Sequence, residues 1–287
     1  QKNIKKATKH FEIGKLNFEL AKYPEALEYF GLVAMTSIIV PKLDAESLYF
    51  EIICRLKIFE KEFEAKLDAK TKQAMGFRLL REIRYMLDKS KTLVLRYPSN
   101  GDYWALRGKA TALNWAIYSK DPEFTDEPWA AKPEMAIEAY LRALKLGVSA
   151  KRHYDKPKDS AMIYNIKQGV IHELAALYFN ISDWNNASKY FKKLIQLDKK
   201  DADPYSHLAE IATAQGKVKQ ALTYSLKQYK LETSNPGSAY NVGLSYGKIG
   251  KYKTSIKYFD IALRIFNASE DSTGITKKAV HDIYLAK

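Results

Sequence analysis

A spacing of 34 residues aligns three stretches of this chain, 171 to 197, 205 to 231 and 239 to 265, position by position. Small residues coincide at Ala175, Ala209 and Gly243, and again at Ala187, Ala221 and Ser255. Apolar residues coincide at Leu174, Leu208 and Val242, then at Leu197, Leu231 and Ile265. Gly216 and Gly250 mark a turn inside each copy, just before Val218 and Tyr252, with Trp184 in the same column of the first. Apolar positions recur three and four apart on both sides of that turn, so each copy reads as two amphipathic helices of about a dozen residues. Helix axes approach to about 8–10 Å only where side chains are small, which places the Ala, Gly and Ser columns at the crossing. No such unit buries its apolar face alone, and stacked neighbours complete the core.

The order of these residues resembles the tetratricopeptide repeat. The last copy carries Val242, Gly243, Tyr246, Ser255, Phe259 and Ala262. The copy before it carries Tyr205, Leu208, Ala209, Ala212, Ala221 and Ser225, and the first carries Leu174, Ala175, Tyr178, Ala187 and Phe191. Two looser copies lie upstream, one with Gly14, Ala26, Phe30 and Val33, the other with Trp104, Gly108, Ala136, Tyr140 and Ala143 and a long insertion around 119 to 133. The family's proline near the end of the second helix is displaced, since Lys199 and Thr233 stand there while Pro204 and Pro236 come later. The resemblance implies an all-α fold, a right-handed superhelical array of antiparallel helix pairs.

The expected organisation is one continuous array: degenerate repeat-like helices over 1–97, a helix pair with the inserted loop over 98–147, three consecutive repeats over 148–265, and a capping helix over 266–287. Residues 42 to 97 are the least repeat-like. Leu48, Ile52, Leu56, Phe59 and Phe63 mark one helix after Asp44, and a second runs from about Gln73 to Arg96 before Pro98. At the far end, Ile275, Ala279 and Ile283 line one face of a last helix. With 46% hydrophobic residues and no Gly/Ser- or Pro-rich linker, the chain has enough apolar surface for such an array.

The single Cys54, flanked by Ile52, Ile53 and Leu56, rules out an internal disulfide and reads as a buried small residue; a nucleophile is the sharper alternative, without a partner nearby in sequence. No apolar run reaches the roughly 20 residues of a membrane span. A soluble protein is expected, cytoplasmic or periplasmic, because the chain begins at Gln1 instead of Met and a removed leader is compatible with it. The net charge of +14 favours anionic partners in general, but the excess is dispersed Lys on second helices (Lys189, Lys192, Lys193, Lys227, Lys257) with no reader motif, so it reads as a solvated face and nucleic acid is disfavoured. Two sharper basic clusters are Lys5, Lys6 and Lys9, and Lys151, Arg152, His153, Lys156 and Lys158.

No phosphate-binding Gly loop, HExxH, CxxC or G-x-S-x-G is present, so neither an enzyme nor a cofactor is expected. His172 and His207, with Glu173 and Glu210 near them in register, suggest a zinc site only weakly, and polar lining of a groove is the preferred reading. The insertion holds Phe124 and Trp129 among acidic residues and prolines; those rings either contact a partner or fold back over the helix pair they connect.

The resemblance further implies that first helices line a concave groove for peptides or helices of other proteins. Carried over by register, the lining is His172, Glu173, Phe179 and Asn180, then Asp203, Ser206, His207, Glu210 and Thr213, then Tyr240, Asn241, Leu244 and Lys248. The Lys, Asn and Arg clamp by which some members hold chaperone C-termini is not reproduced, because Phe11 and Lys15, Ala105 and Lys109, and His172 and Ala176 stand at those places. The expected function is a non-enzymatic scaffold for protein–protein interaction or complex assembly, and self-association is compatible with it. Two alternatives stay open: a ligand-binding or transporter-associated component enclosing a small molecule, and a basic array that binds polyanions or nucleic acid.

Overall fold

A computed structural model describes residues 2–36, 41–64, 69–118, 131–148 and 166–268. The inserted loop with Phe124 and Trp129, the basic stretch from Lys151 to Lys158, and the last helix expected around Ala279 lie outside the described residues. Among the described residues there are twelve helices and no strand. In order they are α1 (Lys2–Glu19), α2 (Tyr23–Ala34), α3 (Pro41–Glu64), α4 (Ala69–Arg96), α5 (Gly101–Tyr118), α6 (Pro133–Leu146), α7 (Ile166–Asn180), α8 (Trp184–Leu197), α9 (Asp203–Ala214), α10 (Val218–Leu231), α11 (Pro236–Lys248) and α12 (Tyr252–Ala268). Contacts divide the chain into two compact units, Gln1–Glu173 and Leu174–Lys287.

The crossing inside a helix pair follows one rule, a small residue on the first helix under a ring of the second. A Cβ added to Gly14 would lie 2.7 Å from the Phe30 ring; on Gly108 it would lie 2.5 Å from Tyr140, and on Gly243, 2.5 Å from Phe259. Ala175 and Phe191 hold the same columns in the α7–α8 pair, both fully buried. The second small column, Ala26, Ala136, Ala187, Ala221 and Ser255, is buried in every copy. The α9–α10 pair departs from the pattern: Ser225 stands where the others have a ring, and Gln228 where they have Val33, Ala143, Leu194 and Ala262. Both polar side chains are matched across the seam to α11. The Ser225 and Ser245 hydroxyls pair at 3.0 Å, and the Asn241 amide donates to Gln228 Oε1 at 3.2 Å, as burial of polar groups requires.

The turn inside a pair also repeats. Ala21, Ser182, Gly216 and Gly250 have φ of 57, 60, 72 and 79°. In each copy the amide of this residue donates three positions back, and the next amide five back, as in Gly250 N to Gly247 O and Lys251 N to Tyr246 O. This is the left-handed closure that satisfies the last carbonyls of a helix. The late prolines are explained as well: Pro204 and Pro236 occupy the first turns of α9 and α11, where a missing N–H costs nothing. Asp183 accepts from Asn186 N to cap α8, and Asn235 from Gly237 N to cap α11.

In the N-terminal unit, each helix from α1 to α6 packs on the next, and α3 also touches α1 and α5. The degenerate stretch is thus a helix pair of its own, with helices of 24 and 28 residues. Its seam holds a polar network: buried Glu51 accepts from Arg55 Nε at 3.1 Å and from the Tyr85 hydroxyl at 2.8 Å, while Arg55 also pairs with Glu82. The neighbouring Cys54 is fully buried, and burial, reinforced by Glu51, pushes its thiol up to about 12. It remains a neutral packing group at physiological pH, as the bland reading of the sequence has it.

Candidate partner-binding surfaces

On α9, Leu208, Ala209, Ile211 and Ala212 are buried, and on α11 so are Val242, Gly243 and Ser245. What remains open on these first helices is Asp203, Glu210, Leu244 and Lys248, with Ser206, Thr213, Tyr240 and Asn241 half-buried beside them. Leu244 is 40% exposed although it sits within a helix whose other apolar positions are consumed by packing. Asn180 is exposed at the end of α7.

Four of the groove residues expected from register are held by packing, the first being Phe179, which meets Trp184 edge-on at 5.5 Å. His207 lies between two rings, stacked on Phe191 at 4.6 Å and 14° and met edge-on by Phe179 at 5.1 Å. Its Nε2 lies 3.7 Å from Asp203, and its Nδ1 is buried without a hydrogen-bond partner. Tyr240 rests 5.5 Å from Phe259 and packs on the α12 core residues. Asn241 is committed to Gln228. These groups build the wall of a surface, whereas Glu210, Leu244 and Lys248 present it. His172 and Glu173 belong to the other unit, where both are half-buried and Glu173 accepts from Lys109 Nζ at 2.6 Å. Among the described residues, no group of three or more His, Cys, Asp or Glu is placed to hold a metal ion, and no helix is long and apolar enough to cross a membrane.

Two clefts escape the register argument. One, about 260 Å³, lies between α8, α9 and α10 and is bordered by Lys189, Lys192, Lys217 and Tyr224 over Leu208 and Ile211. The other, about 410 Å³, lies in the N-terminal unit between α1, α3 and α5. Its floor is a train of rings: Phe18 meets Phe50 at 5.3 Å, Phe50 meets Tyr49 at 5.7 Å, and Tyr49 meets Tyr103 at 5.4 Å. At its edges stand Lys15, Glu19, Glu46, Asn100 and Asp102. Asn100 caps α5, accepting from the amides of Asp102 and Tyr103 at 3.0 and 3.2 Å, and so fixes that wall. The sequence gives no spacing for this cleft because α3 falls in the stretch without a repeat register.

No family model matches this sequence, and no curated protein matches it. Solved structures do. The chain is similar in fold to a crystal structure of MamA, with a TM-score of 0.51 at 16% identity, covering 78% of this chain and 93% of that one. It is likewise similar to YrrB, described as a TPR protein with an unusual peptide-binding site, with a TM-score of 0.50 at 12% identity, covering 79% of this chain and 96% of that one. The chain has the tetratricopeptide-repeat fold. At such identities the likeness extends to the TPR architecture and not to any ligand.

Proposed function

We propose that this TPR-fold chain is a non-enzymatic scaffold that captures a segment of another protein on the faces of its first helices. The observation that supports this reading is the division of α9 and α11: one side is fully used in packing, and the other leaves Glu210, Leu244 and Lys248 open over a wall of fixed rings. A rigid aromatic wall lowers the entropic cost of ordering a bound segment. An open Leu between charged neighbours supplies the apolar centre and polar rim of a protein contact. The second helices by contrast offer dispersed Lys, which solvent and salt screen.

The test is capture from native extract by the intact chain in two variants. Replacing Glu210 and Leu244 by Arg and Lys248 by Glu removes capture on this reading, while replacing Lys192, Lys193 and Lys227 by Gln weakens it only slightly. The opposite ranking at physiological salt moves binding to the lysine-bearing side and favours a polyanionic partner.

A further inference from the structure

The cleft between α1, α3 and α5 has a charge opposite to that of the molecule around it. The chain carries a net charge of +14, yet the cleft is lined by three carboxylates, Glu19, Glu46 and Asp102, against one ammonium, Lys15. That ammonium is itself drawn over the Phe11 ring at 5.7 Å. The Tyr103 hydroxyl feels the same local field: burial first, then the nearby Glu46, push it up to about 12. The rings of the floor are packed on one another, and Tyr49, Phe50 and Tyr103 are each no more than 8% exposed. The floor is therefore preformed.

Carboxylates at the rim of an aromatic floor match one kind of side chain well. A Lys or Arg lays its aliphatic stem along apolar surface and ends its cation among the carboxylates. At about 410 Å³ the cleft falls in the usual range for small-ligand sites, which is enough for two or three side chains. We propose that this cleft binds an extended peptide segment bearing Lys or Arg, its cationic groups placed among Glu19, Glu46 and Asp102. The proposal rests on the reading that first-helix faces of this fold receive protein segments, and it names the chemistry of the segment. A peptide with a free acidic end is excluded from this cleft by the same carboxylates, which agrees with the absence of a carboxylate clamp at Phe11 and Lys15.

The test uses the full chain and a fluorescein-labelled decapeptide of alternating Lys and Leu, its Glu–Leu counterpart, and spermine as competitor, read by fluorescence anisotropy at physiological salt. The Lys peptide binds saturably and at least about tenfold tighter than the Glu peptide, and Glu19→Gln with Glu46→Gln weakens it about tenfold. Lys15→Gln tightens it about threefold, a gain that no loss of folding produces. Spermine, which lacks a peptide backbone and apolar side chains, displaces it only at large excess. Absence of saturable binding, equal affinity for the two peptides, or indifference to Glu19, Glu46 and Lys15 overturns the proposal, and displacement by equimolar spermine replaces the peptide with a polyamine. None of these results touches the capture experiment on Glu210, Leu244 and Lys248, which lie in the other unit, so the two readings fail separately.

Discussion

The imidazole of His207 lies nearly parallel to the Phe191 ring, 4.6 Å away, with Phe179 edge-on at 5.1 Å. Phe191 is fully buried, so this stack ties the first helix of one repeat to the pair before it. Each aromatic contact contributes about 0.5–1.5 kcal/mol beyond its buried area. His207→Ala is therefore expected to destabilise the chain by about 1–3 kcal/mol in urea unfolding, and His207→Phe to recover most of that. An unchanged midpoint for His207→Ala would remove the ring stack from the packing of this repeat.

The left-handed turn residue separates the copies by cost. Gly216 and Gly250 adopt it freely, whereas Ala21 and Ser182 hold the same conformation at φ of 57 and 60°. A side chain in this region costs about 1–2 kcal/mol, partly offset by the larger unfolded-state entropy of Gly. Ala21→Gly is expected to raise stability by up to about 1 kcal/mol and Gly250→Ala to lower it by about 1 kcal/mol, measured by chemical unfolding. The same sign for both would mean that the turn does not set the cost.

Ala221 sits at the helix crossing with 1% exposure, in the column shared with Ala187 and Ser255. Ala221→Asp places a carboxylate there without a partner, and a loss of several kcal/mol, of order 3 or more, follows from its desolvation. Thermal unfolding by circular dichroism measures it. An unchanged melting temperature would show that the repeat register is misplaced.

What the sequence made legible is what repeats. The Gly243 and Ala221 columns, the Gly250 turn, and the looser pairs led by Gly14 and Gly108 all follow from residue size at a fixed period, because a crossing or a left-handed turn admits few side chains. Four features were not legible. Both long helices of the α3–α4 pair are marked in the sequence, but the Glu51, Arg55 and Tyr85 network holds them in place of the small-residue columns, so the register of their pairing is not. The cleft over Phe18, Phe50 and Tyr103 is made by three helices far apart in sequence, one of them α3. The resemblance places His207 on the groove through the repeat register, which gives a residue's angle on its own helix but not the ring of Phe191 waiting on another. Ser225 and Gln228 break the core pattern for a similar reason, since their partners Ser245 and Asn241 come from the next repeat.

Whether first-helix faces receive the partner can be read from two photo-crosslinking side chains of matched accessibility. Leu244 on the first helix α11 is 40% exposed and Leu231 at the end of the second helix α10 is 39% exposed, so a difference between them reports location and not accessibility. With a benzophenone amino acid at either position, the partner captured from native extract is expected to crosslink at 244 and not at 231. Crosslinking at 231 in preference to 244, or equally at both, would contradict this expectation.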